Sequence, residues 1–219
     1  GLQDVDRATG MGLRMQIAYL IALVSPIIGA FIVNRMGGLT VEGIRPLFYI
    51  RFVGLIVTYT YVYLKTNNVA PAIREKTSSG FIQDFKEVLD TGGRKLKTMI
   101  LVGALGALVW STLESFAFLY AEEIKGADAF ILGLMPTAET IAYLIFSTTM
   151  NRLADTKGRK YAFIIVRPGL WLSFIIAILA KSPNWLLIAW FLRGVALSTS
   201  AYNTLYMELV PAAQRGRWM

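Results

Sequence analysis

Ten consecutive residues, Asn151-Arg152-Leu153-Ala154-Asp155-Thr156-Lys157-Gly158-Arg159-Lys160, carry five charges and stand between two apolar runs, each long enough to cross a bilayer. A loop this short cannot leave the membrane surface, so both flanking runs start from one side of a membrane. About 20 apolar residues cover roughly 30 Å of hydrocarbon, and runs of that length recur along the chain. Candidate spans fall at 12–33, 47–64, 98–120, 129–150, 161–180 and 185–207. The predicted fold class is therefore all-α, a polytopic membrane protein with six transmembrane helices.

Composition points the same way. Hydrophobic residues make up 55 % of the chain and charged residues only 16 %, against roughly 25 % charged in soluble domains. The formal net charge of +8 would suit nucleic acid, but the charges sit in loops between apolar runs, so no nucleic-acid partner is expected. The chain has no Cys and no His. That removes thiolate metal sites, disulfides and the commonest general base, and it argues against zinc, haem or Ser-His chemistry. No cofactor and no enzymatic activity are expected. The first residue is Gly1, and no signal-peptide pattern precedes the first apolar run, so the chain reads as a piece of something longer.

Orientation follows from the basic residues. Fifteen Lys and Arg fall in the opening segment, the 65–97 segment, the loop from Asn151 and the tail, whereas the opposite loops hold only Arg35, Arg45, Lys125 and Lys181. Lys and Arg accumulate in short cytoplasmic loops, which places both termini in the cytoplasm. The 65–97 segment is too polar for the bilayer and serves as a linker. Within it Phe81, Ile82, Phe85, Val88 and Leu89 share one helical face, as in a short amphipathic helix lying on the membrane surface. Pro26, Pro136 and Pro168 lie within spans and free backbone carbonyls there. Tyr59, Tyr61 and Tyr63 close the second span as an interfacial aromatic belt.

The charged connection resembles the signature loop of the major facilitator superfamily of secondary transporters, with Leu153, Ala154, Asp155, Gly158, Arg159 and Lys160 matching its pattern. Asn151 stands where that pattern has Gly and Thr156 where it has Arg. A looser resemblance covers Arg193 and Gly194 in the sixth span, then Glu208, Pro211, Arg215, Gly216 and Arg217. The two ends echo one another as well: Arg7 and Met11 recur as Arg215 and Met219, which fits one six-helix repeat read from an offset start. The resemblance implies residues 1–64 as the last two helices of a first bundle and 65–97 as the central cytoplasmic loop. Residues 98–219 would be the first four helices of a second bundle, the remaining helices of a twelve-helix transporter lying elsewhere. It also implies a conformational latch built from Asp155, Gly158, Arg159, Lys160 and Glu208. Asp155 would lie beside the backbone N–H groups at Ala8 to Gly12, and Arg159 would pair with Glu208.

Ionisable residues within spans are costly and face cavities or partners. Arg51 and Arg167 lie near span ends and snorkel. Glu139 and Arg193 are respectively about ten and nine residues from the outer surface, or roughly 14 to 15 Å at 1.5 Å per residue. That is the midplane, where transporters of this architecture bind substrate. Their expected separation allows a direct or water-bridged pair. Glu114 is placed in the outer third of its span, with substrate contact or hydration at the cavity mouth as its alternatives. Gly103, Ala104, Gly106, Ala107, Gly194, Ala196, Ser198 and Ser200 let helices approach closely. Trp110, Phe116, Phe118 and Tyr120 read as lipid-facing or packing aromatics.

The functional expectation is transport of a small molecule across the cell membrane by alternating access, with protons carried on Glu139 or Glu114. An uncoupled facilitator is the alternative within transport, and a non-transporting receptor or membrane-embedded enzyme the alternative outside it. The expected partners are a small-molecule substrate, protons, the lipid bilayer and the missing helices.

Overall fold

The computed structural model describes residues 4–65, 86, 90 and 93–200, and side chains from residue 16 onward except those of 95 and 115. Every regular element among them is helical: α1 (Asp4–Arg35), α2 (Val41–Lys65), α3 (Gly93–Leu119), a π-helical turn (Tyr120–Ile124), α4 (Ala129–Lys157), α5 (Arg159–Leu179) and α6 (Asn184–Leu197). Five stretches are long and apolar enough to cross a membrane, at Gln16–Arg35, Val41–Lys65, Leu96–Ile124, Ala129–Lys157 and Arg159–Leu179. Their outer surfaces suit lipid. Phe48, Phe52, Leu108, Val109 and Ile178 are between 64 % and 68 % exposed, a display of large apolar side chains that water would penalise and acyl chains accept.

Helix α4 is the central element. It packs on α1 along one side and on α5 and α6 along the other, while α2 leans on α1 alone among the principal contacts. The α1 and α4 pair is antiparallel. Gly133 sits against Pro26 and Ala30, and a Cβ there would lie 2.6 Å from Ala30 Cβ and 2.7 Å from the Pro26 carbonyl oxygen. One turn on, Thr137 Oγ1 donates to the Leu23 carbonyl at 3.2 Å. Farther along, the Tyr19 and Tyr143 rings meet at a 35° tilt with centroids 4.2 Å apart, and Gln16 Nε2 reaches Thr148 Oγ1 at 3.5 Å. Pro26 has no N–H to give the Ala22 carbonyl, and the Ser25 hydroxyl donates to that oxygen instead, at 3.3 Å.

The end of the bundle that carries Lys125 is knitted by small residues. Ala117, Ala121, Ala127, Met135, Ala180, Leu186, Ala189 and Trp190 form one buried cluster. Asp128 caps α4 by accepting from the Ile131 N–H at 2.8 Å, which satisfies one of the helix's orphan donors. Lys125 Nζ donates to the Ile178 and Ala180 carbonyls at 3.0 and 2.9 Å, so a cation serves the last carbonyls of α5. The Tyr120 hydroxyl reaches the Ala177 carbonyl at 3.4 Å.

Four sequence expectations change. Residues 151–160 are almost wholly helical: α4 runs to Lys157 and α5 starts at Arg159, leaving Gly158 alone between them. Nothing from Asn151 to Lys157 breaks a helix, and the reversal falls on Gly158, whose φ of 98° is strained for any residue with a Cβ. The third span continues past Tyr120 through the π turn, with Lys125 N–H bonded to the Tyr120 carbonyl at 3.2 Å. Helix α1 begins by Asp4, so the N–H groups at Ala8 to Gly12 are inside the helical ladder rather than at a free helix start. The sixth span was expected as one helix over 185–207, but it is helical only to Leu197 among the described residues. Ser198 turns its hydroxyl to the Val195 carbonyl at 2.7 Å, and side chains of this kind compete with the helix for backbone groups. Of the surface helix expected over Phe81 to Leu89, only Lys86 lies among the described residues, and it is helical.

Candidate functional site

Three helices bring ionisable side chains to one level. Glu139 is ten residues past the start of α4 at Ala129, Arg193 nine past the start of α6 at Asn184, and Glu114 ten before the end of the π turn at Ile124. At 1.5 Å per residue all three lie about 14 to 15 Å from the Lys125 end, half of a roughly 30 Å hydrocarbon slab. Glu114 is thus level with Glu139 and Arg193 rather than nearer the Lys125 end. Counting its helix as ending at Tyr120 omitted the π turn, and π turns are frequent at functional positions.

The three side chains meet. Arg193 Nη2 forms an ion pair and hydrogen bond with Glu114 Oε1, and Arg193 Nε lies 3.1 Å from Glu139 Oε2. The second contact is an ion pair without hydrogen-bond alignment, so the buried Nε–H has no acceptor. The guanidinium also sits over two indoles, 4.6 Å from the Trp110 centroid and 5.7 Å from that of Trp190, each within cation–π range. Side-chain exposure falls from 34 % at Glu114 through 24 % at Glu139 to 10 % at Arg193, so the cation is the innermost member. Trp110 and Glu114 are spaced i, i+4 on α3, and Trp190 and Arg193 i, i+3 on α6, which puts each indole on the face of its charged neighbour.

Backbone proximity makes the pairing possible. Gly194 lies directly on α4, where an added Cβ would be 2.1 Å from the Glu139 carbonyl oxygen and 2.8 Å from Ala142 Cβ. The residue beside Arg193 therefore touches the backbone that carries Glu139. On its other side Glu139 borders a cavity of about 190 Å³ lined by Tyr19, Glu139, Thr140, Tyr143 and Leu197. Tyr19 comes from α1, so the cavity lies on the α1 and α4 seam.

The signature residues are partly in view. Asp155 and Lys160 are exposed and Arg159 is half-buried, while Gly158 makes the one-residue break described above. Glu208 and the side chains from Ala8 to Gly12 lie outside the described residues. Asn151, at the pattern's glycine position, accepts from both the N–H and the hydroxyl of Ser200 at 3.0 Å, tying α4 to the segment after α6. Sequence reading assigned no role to Asn151, Trp190, Tyr19 or Tyr143. The helical spacing of Trp190 from Arg193 was the one available signal. No group of three or more His, Cys, Asp or Glu able to hold a metal occurs among the described residues.

The chain belongs to the Major Facilitator Superfamily, whose sequence model matches residues 2–219. No curated protein and no solved structure gave a match. Membership, together with five membrane-length apolar helices, makes this a multi-pass membrane protein and a membrane transporter of that superfamily. In a protein that moves solutes through a bilayer, a charged cluster at mid-depth beside a cavity is the arrangement to explain.

Proposed function

We propose that the chain is part of a secondary active transporter of the cell membrane that works by alternating access and couples solute movement to a proton carried on Glu139 or Glu114. The carrying observation is one guanidinium shared by two carboxylates from two other helices at mid-depth. With both carboxylates ionised the trio holds one negative charge in excess. An uncompensated charge at the bilayer centre costs roughly 2.5 to 3.5 kcal/mol on insertion scales, and taking up one proton removes it. Glu139 faces the seam cavity and Arg193, so rocking of α1 against α4 changes its surroundings while the Arg193 pairing stays within one bundle.

In this reading residues 1–64 close a first bundle, 65–97 form the cytoplasmic linker, and 98–219 open a second bundle, with both chain ends cytoplasmic. Asp155, Gly158, Arg159, Lys160 and Glu208 brace the cytoplasmic seam. The antiparallel register of α1 and α4, from Gly133 with Ala30 to Thr148 with Gln16, supports this. Extended by two turns, it brings Asp155 level with the opening turns of α1. Helix α1 runs through Ala8 to Gly12, so any gain for the carboxylate comes from the dipole of its first turn, roughly 0.3 to 2 kcal/mol.

The test is reconstitution of the protein carrying this chain into liposomes loaded with a pH-sensitive dye. An imposed solute gradient should move protons in wild type, and Glu139→Gln should abolish the proton signal. Solute flux with no proton signal in wild type would make the protein an uncoupled facilitator. No flux for any solute that binds would overturn transport itself.

A further inference from the structure

Resting on the transport reading, we propose that the substrate is a small organic cation, a protonated amine with an aromatic or apolar body, which competes with the proton for Glu139 so that the two move in exchange. The charges around that carboxylate favour a cation. Among the described residues α6 presents Arg193 to it and α3 presents Glu114, while α1 presents Tyr19 and α4 itself Tyr143 and Thr140. The local count is two carboxylates and one guanidinium, with no second cation in the cluster. Arg193 is held from the far side by Glu114 and lies over Trp110 and Trp190. It keeps that anchorage if Glu139 changes partner, and its contact with Glu139 lacks hydrogen-bond alignment. Glu139 is the carboxylate with a weakly directed partner and an open side.

That open side has the chemistry of a cation site. The cavity is lined by Glu139, Thr140, Leu197 and the two tyrosines Tyr19 and Tyr143, whose rings meet at a tilt. Aromatic faces attract cations and give apolar area to the rest of an amine. An anionic substrate would meet Glu139 directly, with Arg193 behind it and engaged, and a neutral polar solute would leave the excess charge in place. The volume of about 190 Å³ is below the roughly 300 to 1,000 Å³ of drug-sized pockets, which favours a compact amine. A site that needs one positive charge takes a proton or the amine and never both, and that exclusion is what makes exchange obligatory.

The experiment uses the purified protein carrying this chain and two probes with one skeleton, phenethylammonium and phenylacetate. Binding is followed by calorimetry, and proton release in weakly buffered detergent solution. Phenethylammonium should bind, release up to one proton per site, and lose affinity by about tenfold per pH unit once Glu139 is protonated. Phenylacetate should not compete. Glu139→Gln should abolish proton release. Tyr143→Leu should weaken phenethylammonium by about tenfold and methylammonium distinctly less, a contrast that general unfolding would not give. Preference for phenylacetate, binding without proton release, or failure of phenethylammonium to bind the folded protein each overturns the proposal. Binding with proton release but no counterflow in liposomes would spare the cation site and overturn the transport reading instead.

Discussion

Replacing Gly194 by Ala tests whether the contact between α4 and α6 is what positions the mid-depth cluster. The added methyl would stand 2.1 Å from the Glu139 carbonyl oxygen, which is backbone and cannot rotate away, and 2.8 Å from Ala142 Cβ. Reaching ordinary contact near 3.4 Å requires α6 to retreat by about 1.3 Å. Arg193 moves with its neighbour, so its Nε, now 3.1 Å from Glu139 Oε2, is carried outside ion-pair range. Overpacking of this kind costs typically about 1 to 3 kcal/mol, and misplacing a functional group by about 1 Å can cost on the order of 100-fold in rate. Gly169→Ala is the graded control, since its Cβ would meet the Leu192 carbonyl at 3.3 Å and needs only slight adjustment. Thermal unfolding of the detergent-solubilised protein, followed by size-exclusion chromatography, and initial transport rates in liposomes should both rank wild type above Gly169→Ala and that above Gly194→Ala. The rate should fall more steeply than stability. A Gly194→Ala protein with wild-type rate and melting temperature would refute the reasoning.

Arg193→Lys keeps the charge but loses the planar fork that reaches two carboxylates and stacks on indoles; transport should drop at least about tenfold while Glu114→Gln in that background adds little further loss, a non-additivity read from a double-mutant cycle. Asn151→Gly restores the family pattern yet removes the acceptor for both Ser200 donors, so it should lower stability by about 1 to 2 kcal/mol, measurable as a reduced melting temperature that Asn151→Asp largely recovers. Gly133→Ala presses α4 against Pro26 and Ala30 and should part the seam at the Lys125 end. Thiol labelling of a Val33→Cys reporter, a buried position, should accelerate several-fold, and unchanged labelling would count against that contact as a closure.

Much of this architecture could be read from residue patterns, because hydrocarbon imposes a length and a charge rule that few sequences satisfy by accident. The spans, the pairing of Glu139 with Arg193 and the small-residue contact at Gly194 all follow from depth counting and side-chain size. What depth counting could not give is the third partner. Glu114 looks peripheral until Tyr120 to Ile124 continue as a π turn, a shift in hydrogen bonding that leaves the hydropathy pattern unmarked. The connection at 151–160 looked like a loop because it is polar, yet polarity alone does not unwind a helix, and only Gly158 has the conformational reason to do so. Ser198 to Ser200 show the converse. Small residues in an apolar run suggest close packing, but their hydroxyls and amides also offer the backbone other partners, here Val195 and Asn151. The Tyr19 and Tyr143 ring contact joins residues far apart in the chain, and no periodicity in a single sequence reports such a meeting.

Lys125 divides what is rigid from what is free to move. Its ammonium clasps the closing carbonyls of α5 from the turn that follows α3, and Asp128 begins α4 three residues later. Helices α3, α4 and α5 are thereby tied together at one end, and α6 joins them there through Leu186, Ala189 and Trp190 in the buried cluster. The charged trio should ride inside a single stiff body, its internal distances nearly constant through the cycle, while the joint that works is the glide of α1 along α4. A covalent staple from position 125 to position 180 should therefore be silent. One from position 16 to position 148, fastening side chains that now barely touch, should stall the machine.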